Sequence, residues 1–213
     1  FQGLQKSPVG MTAVMGYINY RDAYDQQHPY LIFKDEATGD YYRYELLMLD
    51  IGDGSKVNQR RGADGEEEKV SAYTIVGEKR LAGLTPTDMS TITYNSWFTT
   101  SNLFFAEGGR VYRYNVSNGD KYLVYEAPTG YEVTKLKFRS EESSSFSDDL
   151  GLHLDIVMYD GTHGAIANIK FTTAADVDED YQPLFYDRDG EGKRWGEIKD
   201  IQFVYDYIYK MVY

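Results

Sequence analysis

Residues 102–128 read NLFFAEGGRVYRYNVSNGDKYLVYEAP, three short apolar runs separated by glycine-bearing turns at Gly108-Gly109 and Asn118-Gly119-Asp120. Turns of that composition between short apolar runs mark antiparallel strands joined by tight connections. The chain writes much the same passage earlier, at residues 30–45, as YLIFKDEATGDYYRYE. Both passages carry an apolar run, a polar turn with glycine and a Tyr-Arg-Tyr triplet, at Tyr42-Arg43-Tyr44 and Tyr112-Arg113-Tyr114, offset by 70.

A second series repeats the pattern apolar, polar, aromatic: Ile92-Thr93-Tyr94, Leu136-Lys137-Phe138 and Ile201-Gln202-Phe203, with offsets of 44 and 65. The first offset matches the roughly 40–45 residues of a four-stranded propeller blade. The surplus elsewhere sits in polar, acidic stretches at residues 50–69, 141–151 and 172–183. Surface loops absorb such insertions at small entropic cost. Between them the residues alternate. In residues 132–138 Thr134, Leu136 and Phe138 share one face, and in residues 151–160 Leu152, Leu154, Ile156 and Met158 oppose His153, Asp155 and Tyr159. That is the period of a strand.

One complete repeat then reads as strands at 90–97, 102–108, 110–116 and 121–128. The next copy falls at 131–138, 152–160, 163–171 and 182–187, and a looser one at 11–18, 29–35, 41–47 and 70–77. The expected fold is all-β, a β-propeller-like array of four-stranded blades in one unit spanning residues 1–213. The blades lie at about 10–85, 89–128, 130–187 and 196–213, the last incomplete. Propellers close with four to eight blades. About three and a half are present, so the chain is expected to be the C-terminal piece of a longer protein or to be completed by another chain. The competing fold is a β-sandwich, which also has short strands and frequent turns.

Composition narrows the function classes. A hydrophobic fraction of 42% with 15% aromatics, 21 of them tyrosines, supports a folded core. The formal charge of −12 repels a phosphate backbone, so nucleic acid is excluded as a partner. No run of about eighteen apolar residues is present. Zero cysteines exclude disulfides, thiolate metal sites and a cysteine nucleophile.

Candidate chemistry is sparse. His28, His153 and His163 have no metal-ligand spacing, and His153 reads as a strand residue. DRDGEG at 187–192 begins like a calcium loop but lacks the third oxygen donor before its glycine, so it reads as a turn. Glu66-Glu67-Glu68 and the acidic run at 176–180 read as solvated loops. No nucleophile elbow, phosphate-binding glycine loop or dinucleotide fingerprint occurs. Trp97 and Trp195, in or near connections, are the ligand-binding candidates, because such rings stack on sugar faces or anchor partners; they also suit blade packing. No catalytic residue, metal or cofactor is expected.

The strands Leu103-Phe104-Phe105-Ala106 and Val111-Tyr112-Arg113-Tyr114, the strand end Val124-Tyr125-Glu126-Ala127-Pro128 and the start Glu132-Val133-Thr134 resemble the propeller region of the PKD-like family of surface lipoproteins from Gram-negative gut bacteria. The resemblance implies a non-enzymatic binding or scaffolding module at the outer-membrane cell surface, lipid-anchored through a segment outside this sequence. Its implied partners are the SusC/SusD-type transporter and lipoprotein subunits of a glycan or peptide uptake complex. The alternatives are a propeller hydrolase acting on glycans or peptides, since propellers host enzymes, and a direct glycan-binding module. The expected contact surface is the loop-rich face that includes residues 50–69 and 141–151.

Overall fold

A computed structural model describes residues 10–21, 27–49, 59–61, 67–69, 72–90, 102–140, 152–173 and 176–201. Every regular element among them is a β-strand. β1 (Met11–Arg21), β2 (Gln27–Asp35), β3 (Tyr41–Leu49) and β6 (Ala72–Arg80) form one antiparallel sheet in that order, and β4 (Gln59–Arg61) pairs with β5 (Glu67–Lys69) as a separate hairpin. β7 (Asp88–Ser90), β8 (Asn102–Glu107), β9 (Arg110–Asn115) and β10 (Lys121–Glu126) form a second four-stranded sheet. β11 (Glu132–Ser140), β12 (Leu152–Tyr159), β13 (Gly164–Phe171) and β14 (Leu184–Tyr186) form a third. Each is an open up-and-down meander with two edge strands.

The chain divides into two compact units. One comprises Phe1–Leu84 with Thr99–Ser101 and holds the first sheet; the other comprises Thr85–Phe98 with Asn102–Tyr213 and holds the second and third.

The repeated wording of the sequence becomes repeated pairing. Leu31, Ile32 and Phe33 on β2 face Tyr44, Arg43 and Tyr42 on β3. Leu103, Phe104 and Phe105 on β8 face Tyr114, Arg113 and Tyr112 on β9 in the same register. The turns are also built alike. In DEATGD the Asp35 side chain accepts the N–H groups of Ala37 (2.8 Å) and Thr38 (3.4 Å), and Asp35 N donates to the Asp40 carbonyl. In NVSNGD Asn115 does the same with Ser117 (2.8 Å), Asn118 (3.4 Å) and the Asp120 carbonyl. Gly39 and Gly119 take φ of 75° and 86°, a conformation that costs glycine nothing and any other residue strain.

In the larger unit the core lies between the second and third sheets. Phe104, Ala106 and Val111 from β8 and β9 pack with Leu136, Leu154, Ile156, Met158 and Phe171. Phe104 meets Phe138 at 4.9 Å and Phe171 at 5.2 Å, both edge-on, the geometry that aromatic quadrupoles favour. Burying such a ring contributes about 2–3 kcal/mol. A polar clamp crosses the same gap: the Asp88 carboxylate on β7 accepts the Leu136 N–H of β11 at 2.8 Å. Arg113 adds a second tie, stacked 4.6 Å over Tyr122 and 3.2 Å from Asp176 in the connection after β13.

Several strand limits differ from the sequence reading. Of the strand expected at 90–97 only Ser90 lies in β7, and the rest falls outside the described residues. β14 has three residues because Gln182 and Pro183 precede it without pairing, proline having no N–H to offer. Residues 197–201 form no strand, and residues 202–213 lie outside the described set. Glu67 and Glu68 belong to β5, in register with Arg61 and Arg60.

The alternation also breaks at bulges. Val133 faces Met158 and Lys135 faces Val157, so Thr134 is an extra residue. Thr134 is therefore exposed and Val133 takes the core position that strict alternation denied it. On β12 both faces are buried: His153 and Val157 are as enclosed as the leucines opposite them.

Candidate functional site

The β8–β9 turn at Gly108-Gly109 and the connection from Ala127 to Tyr131 bound an open groove of about 660 Å³. Its rim groups are Glu107, Arg110, Glu126, Pro128 and Tyr131. The backbone beneath is fully engaged: Gly108 and Gly109 carbonyls accept the Val133 and Ala127 N–H groups, both at 2.8 Å. Gly109 is required, because a Cβ there would lie 2.9 Å from the Tyr131 carbonyl oxygen.

Arg110 and Glu126 are register partners at the open end of the β9–β10 hairpin, and both Nε and Nη2 of Arg110 lie 3.0 Å from Glu126 Oε1. Their side chains are 55% and 58% exposed, so water screens the pair and it adds little to stability. Glu107 accepts from the Thr85 hydroxyl at 2.5 Å and from Lys121 Nζ at 3.2 Å. The Thr85 hydrogen bond, followed by Lys121, holds its carboxyl below the usual range. The Lys121 ammonium in turn sits 4.0 Å above the Tyr112 ring.

Tyr131 links the groove to a second cluster. Its hydroxyl accepts from Arg194 Nη2 at 2.8 Å, and its ring meets Phe185 edge-on at 5.9 Å. Arg194 also lies 3.5 Å from Asp160, and its Nε is 3.5 Å from Asp187, an ion-pair distance outside hydrogen-bond geometry. The Asp160 carboxyl is held below its ordinary value chiefly by the His163 and Thr162 N–H groups, which it accepts at 2.6 and 2.8 Å, with His163 and Arg194 adding charge.

Trp195 follows directly. It is partly buried, its backbone N–H donates to the Asp187 carbonyl at 3.0 Å, and the Trp195 and Gly196 carbonyls accept the Gly164 N–H. A side chain at Gly164 would collide with Gly196 O at 2.5 Å and with Ile198. Trp97 lies outside the described residues.

DRDGEG is a turn. Asp189 uses its carboxylate on the Glu191 and Lys193 N–H groups, both at 2.9 Å, and its carbonyl on Gly192. Among the described residues no three histidine, aspartate or glutamate side chains converge as a metal site. His28 lies on β2 and His163 beside Asp160.

His153 belongs to a buried polar network on β12 and β13. Asn168 Nδ2 donates to Asp155 at 2.6 Å, which fixes Oδ1 as the acceptor of both the Tyr181 hydroxyl and His153 Nδ1, each at 2.9 Å. His153 therefore carries its proton on Nδ1. With His153 6% and Asn168 3% exposed, satisfied hydrogen bonds are what make their burial tolerable.

The Arg110–Glu126 pair and the Arg194 cluster escape a reading of the sequence alone. Counting back from the turn places Arg110 opposite Tyr125; a bulge at Val124 moves Glu126 into register instead. Tyr131, Asp160 and Asp187 reach Arg194 from three separate segments, so spacing carries no sign of them. No family model, curated protein or solved structure matches the chain.

Proposed function

We propose that the chain is a non-enzymatic recognition module whose four-stranded meanders are blades of a propeller, carried by a cell-surface lipoprotein that serves an outer-membrane glycan or peptide uptake complex. The supporting observation is a polarity in the meanders. Antiparallel pairing sends the connections after the first and third strands out at one end of a sheet and the connection after the second at the other. The long segments, residues 50–71, 91–101, 141–151 and 172–183, all follow first or third strands. Connections after second strands are short: 36–40, 108–109 and 160–163. By sequence, the segments after first and third strands hold 17 of the 34 acidic side chains and four of the 22 basic ones.

The first and third sheets thus carry long acidic connections at the end opposite their tight second-strand turns, while the long segment of the second sheet, residues 91–101, is uncharged; long connections on a rigid scaffold are suited to holding a partner. The groove supports binding over hydrolysis. A glycosidase needs one carboxyl raised toward neutrality to act as the acid, whereas Glu107 in the groove wall is held down by Thr85 and Lys121. An ion pair beside an aromatic ring, as at Arg110, Glu126 and Tyr131, offers donors, acceptors and an apolar face to a neutral glycan or peptide.

The test is affinity purification from native membranes of the wild type and of a variant whose residues 141–151 are replaced by an Asn-Gly turn. An outer-membrane transporter recovered with the wild type and lost with the variant is the expected result. Recovery of neither protein with a transporter contradicts the proposal.

A further inference from the structure

The outer edge of β13 is covered by three short pieces of chain in line. Val177 bridges to Phe171 and Asp178 N donates to the Lys170 carbonyl; β14 pairs with residues 166–168; the Trp195 and Gly196 carbonyls take Gly164 N. Among the described residues β14 is the last strand of its sheet and pairs on one side only. Its three residues, Leu184, Phe185 and Tyr186, are 42%, 42% and 49% exposed, so both faces of the strand present apolar side chains. Natural edge strands are commonly blunted by a lysine, an internal proline or a covering element. β14 is short, which also limits an edge, and Pro183 lies just before it, but the strand itself contains no lysine or proline. On the same edge, Asp178 is followed by the exposed Glu179 and Asp180.

We propose that β14 is a docking edge for an extended segment of a cationic partner, which adds as a fifth strand to this sheet. Its main chain pairs with β14, its alternate apolar side chains cover Leu184, Phe185 and Tyr186, and its lysines or arginines run along Asp178, Glu179 and Asp180. A cationic occupant is chosen over a second copy on charge. Another copy brings the same acidic stretch and a net charge of −12 to its own image. The surface stands independently of the uptake-complex reading.

The probe is a fluorescein-labelled peptide alternating valine and threonine with three lysines at one end, followed by anisotropy at low and high salt. Binding that weakens with salt is expected. Phe185→Lys, and separately Tyr186→Lys, weaken it by about tenfold, with circular dichroism confirming that both variants fold. Hydrogen exchange of the β14 amides slows when the peptide is bound. Equal binding by a peptide with alternate backbone nitrogens methylated overturns strand addition, because such a peptide keeps its charge and cannot pair. A concentration-dependent dimer abolished by Phe185→Lys overturns the choice of partner.

Discussion

Replacing Asp88 by alanine removes the carboxylate that spans the second and third sheets. Leu136 is 4% exposed, and its N–H has Asp88 Oδ2 as acceptor at 2.8 Å. Truncation leaves a buried donor without an acceptor, at a cost of about 1–3 kcal/mol, toward the upper end because the lost bond was charge-assisted. Asp88→Asn keeps an acceptor and loses only the charge, so its cost is about 1 kcal/mol. Both tryptophans belong to the unit that contains the clamp, so their fluorescence during urea unfolding reports that unit. With a urea m-value of about 2 kcal/mol/M, a loss of about 2 kcal/mol lowers the midpoint by about 1 M. Hydrogen exchange at the Leu136 amide accelerates in parallel. A midpoint for Asp88→Ala within about 0.1 M of wild type, with Leu136 still protected, refutes the reasoning, since the amide then has another acceptor.

Other substitutions separate packing from recognition. Arg110→Ala leaves the urea midpoint unchanged, as expected for a screened pair, while weakening whatever ligand calorimetry finds in the groove. Gly164→Ala forces the strand away from Gly196 and Ile198 and costs about 1–3 kcal/mol in urea melts. Asp160 has a folded-state pKa below its unfolded value, so its stabilising contribution is present above about pH 4 and disappears as pH falls through the folded value. Asp160→Asn therefore flattens the acid limb of a stability profile below about pH 4 and leaves its shape near neutrality unchanged.

What the sequence discloses depends on how local the cause is. The β8–β9 hairpin is legible because short apolar runs flank a Gly-Gly turn, and the turns of DEATGD and NVSNGD are legible because Asp or Asn starts each and glycine supplies the positive φ. The bulges at Val124 and Thr134 leave no local mark, yet each shifts the register of everything beyond it. His153 and Asp155 read in sequence only as the strand face opposite Leu152 and Leu154. The burial of His153 depends on Asn168 from β13, itself bonded to Asp155 and to Tyr181 from the next connection, partners that only folding assembles. The groove is equally non-local, being shaped where the Gly108-Gly109 turn meets the connection to β11.

Cross-linking mass spectrometry on intact outer membranes tests the recognition reading most directly. Lys56 and Lys69 lie in the long segment after β3, which gives an amine-reactive linker its foothold on one of the long connections. The account predicts cross-links from these lysines to subunits of an uptake transporter. Recovery of the protein with cross-links only within its own chain contradicts it.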